Sequence, residues 1–109
     1  MITSAQNSKI QLVRSLLGRS KERHLNGALV VEGVRLLEEA LAAGWKFRFA
    51  LYSQGLSERG WTLLQRLSEA GVETEEVTEE LLTSTSDTKS TQGLLAVLEM
   101  QALPIPKPT

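Results

Sequence analysis

Cysteine is absent from the sequence, and histidine occurs once, at His24. Without thiols the chain can build no disulfide framework, no thiolate zinc site and no thiol nucleophile. A reducing cytoplasm suits that composition, and a cytoplasmic location is expected. No apolar run approaches the ~20 residues that cross a bilayer. The segment Met1 to Asn7 lacks the basic region and apolar core of a signal peptide. Neither a GxGxxG nor a Walker A pattern occurs, so no nucleotide cofactor loop is visible. His24 has no nearby carboxylate pair to make a triad or a metal site, and a solvated role is expected. Glu38-Glu39 and Glu75-Glu76 are neighbours whose side chains diverge on a helix or strand, which speaks against paired acid–base chemistry. Catalytic, cofactor and metal residues are therefore all expected to be absent.

The chain has 109 residues, enough for one compact domain that buries roughly two-thirds of its unfolded surface. Its net charge of −1 hides an asymmetry. Residues 1–48 carry eight Lys and Arg against four Glu, whereas residues 49–109 carry four against nine acids. Separated charge of this kind fits one face that attracts polyanions and another that repels them, or simply two solvated faces.

Periodicity gives alternating helices and strands. Asn7 can cap a first helix in which Ile10, Val13 and Leu17 recur toward Gly18. A polar, basic stretch from Arg19 to His24 reads as a connection, closed by the turn dipeptide Asn26-Gly27. Ala28 to Val31 reads as a buried strand, and Val34, Leu37, Ala40 and Leu41 form a helical face stopped by Gly44. Phe47 to Tyr52 is a second strand. Ser57 caps a helix with Trp61, Leu64, Leu67 and Ala70 in phase. Val72 to Val77 alternates as an edge strand does, and Thr78 with Glu79 and Glu80 starts a short helix. Leu94 to Leu98 is the last buried strand. The order predicts an α/β fold, a three-layer α/β/α sandwich around a mixed sheet of about four strands. Residues 1–100 form the domain. Residues 101–109, with three prolines, read as a linker toward a further domain.

Two places invite a polyanion. At Glu32-Gly33-Val34-Arg35 a strand turns into a helix whose first amides lack partners. Gly33 would let a phosphate approach them, Arg35 could pair with it, and Glu32 could accept from the donor edge of an unpaired base. Equally, Gly33 could serve only a tight turn and Glu32 only a helix cap. The other place is the basic stretch, with Arg19, Lys21, Arg23 and His24, which Lys9 and Arg14 could extend. Thr91-Gln92-Gly93 offers amide and hydroxyl groups beside an open backbone, or is an ordinary loop entry. The aromatics fall in core patterns, with Trp45 at a strand entry the exception available for stacking.

Taken in order, Ile2-Thr-Ser-x-x-Asn7-x-Lys9-Ile, Arg23, Val31-Glu32-Gly33-x-Arg35-Leu-Leu-x-Glu39-Ala40 and Ser86-Asp87-Thr88-x-x-x-Gln92-Gly93-x-x-Ala96-Val97 resemble the substrate-binding domain of SpoU/TrmH-family RNA methyltransferases. The resemblance runs from Ile2 to Val97. It implies an L30e-like fold that binds structured RNA, ribosomal or transfer. It also implies a separate knotted catalytic domain that uses S-adenosylmethionine to methylate a ribose 2′-hydroxyl. Carried over residue by residue, it marks Asn7, Lys9, Arg23, Glu32, Gly33, Arg35, Gln92 and Gly93 as RNA-facing. Arg19 and Lys21 join them through the basic-patch argument alone. The expected role is RNA recognition, with these residues inactive and monomeric by themselves, and dimerisation belonging to the catalytic domain of a whole protein. A free-standing L30e/L7Ae-like RNA-binding protein is the alternative, and a protein–protein interaction domain a third reading.

Overall fold

A computed structural model of the chain describes residues 1–18, 20–86 and 92–100. Nine elements follow one another: α1 (Ser8–Gly18), α2 (Ser20–Asn26), β1 (Ala28–Glu32), α3 (Val34–Ala42), β2 (Phe47–Tyr52), α4 (Glu58–Glu69), β3 (Glu73–Glu76), α5 (Glu79–Thr85) and β4 (Leu94–Glu99). The strands lie in the order β1-β4-β2-β3. β4 is antiparallel to both of its neighbours, and β2 runs parallel to β3.

The alternation of β4 explains the three layers. Leu95 and Val97 face one cluster, which contains Ile10, Val13 and Leu16 of α1 and Leu81 and Leu82 of α5. Leu94, Ala96 and Leu98 face the other, with Val34 and Leu37 of α3 and Leu63, Leu64 and Leu67 of α4. A strand covered on both faces reads as a continuous apolar run, and Leu-Leu-Ala-Val-Leu is one. β3 lies at an edge, as its alternating acids predict.

Three expectations change. The basic stretch is not a connection: residues 20–26 form α2, since Lys, Glu, Arg and Leu all tolerate a helix well. Trp61 is not core. It is 38% exposed and rests edge-on against Tyr52, ring centres 5.6 Å apart. Glu32 does not cap α3, whose N-cap is Gly33 at φ 101°. Arg19, Asp87, Thr88, Thr91 and the proline-rich 101–109 lie outside the described residues.

Candidate nucleic-acid interface

β1 ends, β2 ends and β4 begins at the same end of the sheet, and α3 and α4 start there. Two glycines make this junction possible. Gly33 has φ 101° and donates its N–H to the Leu94 carbonyl at 3.2 Å. Gly93 has φ 82°, and its carbonyl accepts from the Ser53 N–H at 3.0 Å. A Cβ on Gly93 would stand 3.1 Å from Ser53 Oγ and 3.4 Å from the Leu56 nitrogen. Side-chain-bearing residues rarely adopt such φ values.

Polar side chains from distant parts of the sequence then tie the junction together. Gln92 Oε1 accepts from the Val34 N–H at 2.9 Å, so Gln92 satisfies an amide in the first turn of α3. That bond fixes the amide orientation, because Val34 supplies a donor; the Gln92 NH₂ group is left to donate elsewhere. The Glu32 carboxylate accepts from the Ser86 hydroxyl at the end of α5. Ser57 caps α4 by accepting from the Gly60 N–H at 3.1 Å.

Between the two helix starts lies an open cavity of about 400 Å³ lined by Val34, Arg35, Gly55, Ser57, Arg59 and Gln92. No acid lines it. The Arg35 side chain is 83% exposed, and its one ion pair among the described residues is a loose one with Glu39 at 3.7 Å, a surface contact that holds little. Arg59 is fixed differently: its Nε and Nη2 donate to both carboxylate oxygens of Glu38 on α3, the shortest at 2.6 Å. This fork holds the Glu38 carboxyl below its ordinary range and the Arg59 guanidinium above its own. The Arg59 Nη1 group is outside that fork and can serve a ligand.

The structure therefore gathers Glu32, Gly33, Arg35, Gln92 and Gly93 at one end of the sheet and brings Gly55, Ser57 and Arg59 beside them, which the sequence did not single out as candidates. Ser57 was legible as a helix cap. Nothing in the sequence pairs Arg59 with Glu38, 21 positions away.

Asn7 and Lys9 lie elsewhere. Asn7 Oδ1 accepts from the Lys9 N–H at 2.8 Å and caps α1. The Lys9 ammonium sits 2.8 Å from Glu75 and 3.1 Å from Glu73, above the Phe49 ring at 5.7 Å. Hydrogen bonds from Glu75 and then Glu73 raise its pKa. It is committed to β3 and the α1–α5 layer. Arg23 donates through Nη1 to the Leu16 carbonyl at 2.8 Å, closing the end of α1. Lys21 and His24 are exposed on α2, at the start of β1. β1, whose ends are about 13 Å apart at 3.3 Å per residue, runs from the end of α2 to Glu32.

Residues 7–96 match the family described as the MRM3-like substrate-binding domain. The chain belongs to that family, the substrate-binding domain of SpoU/TrmH RNA methyltransferases. It is 34% identical over 99 residues to an uncharacterized tRNA/rRNA methyltransferase of Synechocystis sp., covering 91% of this chain and 36% of that protein. A crystallised RNA 2′-O ribose methyltransferase superposes with a TM-score of 0.85 at 29% identity, over 99% of this chain and 40% of its own. The SpoU methyltransferase AviRb of Streptomyces viridochromogenes, solved with AdoMet, gives 0.75 at 28% identity, over 92% and 38%. The chain thus spans well under half the length of these relatives.

Proposed function

We propose that this substrate-binding domain recognises structured RNA, ribosomal RNA in the first place, for an S-adenosylmethionine-dependent ribose 2′-O-methyltransferase. The observation that carries this reading is the cavity between the starts of α3 and α4, with Arg35 and Arg59 on its rim and no acid among the described residues that line it. Backbone amides at helix starts and guanidinium groups are both suited to phosphate oxygens. At the same end of the sheet, Glu32 has acceptor capacity left after Ser86, and in the cavity wall Gln92 has an amide group left to donate. An acceptor and a donor of this kind can each read an edge of an unpaired base, while the arginines hold its backbone.

S-adenosylmethionine itself does not fit here. It carries a sulfonium cation, and the described residues that line the cavity offer two guanidinium groups and no acid to accept the cofactor's hydroxyl or amino groups. We place the cofactor, and methyl transfer, in the part of a whole family protein that these residues do not cover.

Amide chemical shifts recorded while a ribosomal RNA hairpin is added test the reading. The expected result is perturbation concentrated at Val34, Arg35, Ser57, Arg59 and Gln92. Perturbation confined to α2, or to the Lys9–Glu75 surface, would contradict it.

A further inference from the structure

The sheet has two outer strands, and they are finished differently. β3 reads Glu-Thr-Glu-Glu, and beyond it Val77 bridges in parallel to Ile2 of the N-terminal segment. β1 reads Ala-Leu-Val-Val-Glu, with no lysine, proline or bulge. Natural sheets blunt their edges with such devices or cover them; β1 has only Glu32, at its last position. Exposed leucines flank it on both faces: Leu25 of α2 is 70% exposed and Leu36 of α3 is 57% exposed. A largely apolar groove of about 360 Å³, lined among others by Leu29, Val31, Leu36, Trp45 and Leu98, runs beside it.

The register shows which backbone groups this edge offers. Gly27 accepts from the Met100 N–H at 2.9 Å, and Gly33 donates to Leu94 at 3.2 Å. Bonded and non-bonded pairs alternate along an antiparallel ladder. Leu29 and Val31 therefore bond to β4, while Ala28, Val30 and Glu32 turn N–H and C=O outward. Among the described residues no hydrogen bond meets those outward groups.

We propose that β1 is the interface between two copies of this chain, paired antiparallel about a two-fold axis through Val30. In that register Val30 faces Val30 and Ala28 faces Glu32, so each outward donor meets an outward acceptor. The match is to itself, which is what a closed two-fold dimer requires. Charge supports the same orientation. Near the start of β1, Arg48 donates to the Asn26 carbonyl at 2.7 Å and is only loosely paired with Glu99 at 4.0 Å, and Lys21 stands exposed on α2, the helix that leads into the strand. Glu32 ends the strand, and antiparallel pairing sets one copy's acidic end against the other's basic start. The result departs from the monomer expected from the resemblance, and it does not rest on the RNA reading.

Sedimentation velocity over a concentration series, combined with amide hydrogen exchange, tests the proposal. The expected result is a dimer that grows with concentration. The Ala28, Val30 and Glu32 amides should exchange more slowly as it forms, with the Leu29 and Val31 amides unchanged. Leu25→Lys with Leu36→Lys alters only exposed positions and should raise the dissociation constant about tenfold or more. Val30→Pro removes an outward donor without touching a bond to β4 and should abolish the dimer, with circular dichroism checking the fold. A chain that stays monomeric to millimolar concentration overturns the proposal. So does a dimer indifferent to the double lysine variant, or one that leaves Val30 exchange unchanged.

Discussion

Gly93 shows how narrowly the junction is specified at the scale of single residues. Its φ of 82° lies in the left-handed region, and a methyl group there would press on Ser53 Oγ and the Leu56 backbone nitrogen. Gly93→Ala should cost about 1–3 kcal/mol, read as a lower denaturation midpoint at unchanged slope. The wild-type midpoint in that variant would show that the junction tolerates a side chain. The sequence displays such glycines as turn positions, and Gly33 and Gly93 were legible in that sense. The partners of their neighbours were not. Gln92 reaches Val34 across 58 positions and Ser86 reaches Glu32 across 54. Residue types announce that a donor or an acceptor is present, but only the folded chain says which one it meets. For that reason the choice between a capping and a ligand-facing Glu32 could not be made from residue types, and the helix cap proves to come from Gln92.

Elements were legible wherever apolar periodicity was strong. α3, α4 and the doubly covered β4 follow directly from it, because burial on one face or both imposes a spacing on the sequence. α2 was hidden since its seven residues, Ser-Lys-Glu-Arg-His-Leu-Asn, contain a single apolar side chain, and that one is exposed. The basic cluster consequently looked like a free patch, although two of its expected contributors have structural work. Arg23 closes α1, so Arg23→Ala should lower the melting temperature while leaving the salt dependence of RNA binding unchanged; a flattened salt dependence would return Arg23 to the interface. Lys9 clamps α1 to β3. Its pKa is raised from 10.5 by the Glu75 and Glu73 hydrogen bonds, so its contribution is complete below that ordinary value. The contribution fades as pH rises through the raised one. Lys9→Met should therefore cost about 1 kcal/mol at neutral pH, and this deficit should shrink in strongly alkaline solution. A pH-independent deficit would mean that the ion pairs with Glu75 and Glu73 are not what Lys9 supplies.

For the whole molecule, charge is distributed by layer and by end. Lys9 is neutralised among the acids of β3, and Glu79 and Glu80 open α5 beside that edge. Arg35 and Arg59 border the cavity between the starts of α3 and α4, which no acid lines among the described residues, although the Glu79 carboxylate lies against Gly55 next to it. The sequence revealed the imbalance between its two halves. It did not reveal that Arg59, from the acidic half, joins the basic site, because that depends on α3 and α4 packing side by side with Glu38 between them. The central claim is that RNA phosphate is held at this cavity, and counterion release measures it most directly. The logarithm of RNA affinity should fall linearly with the logarithm of salt concentration. Arg35→Ala with Arg59→Ala should reduce that slope by about 1.4–1.8, the loss of two phosphate contacts at roughly 0.7–0.9 each. A double variant that binds a ribosomal RNA hairpin with the wild-type slope would contradict the account.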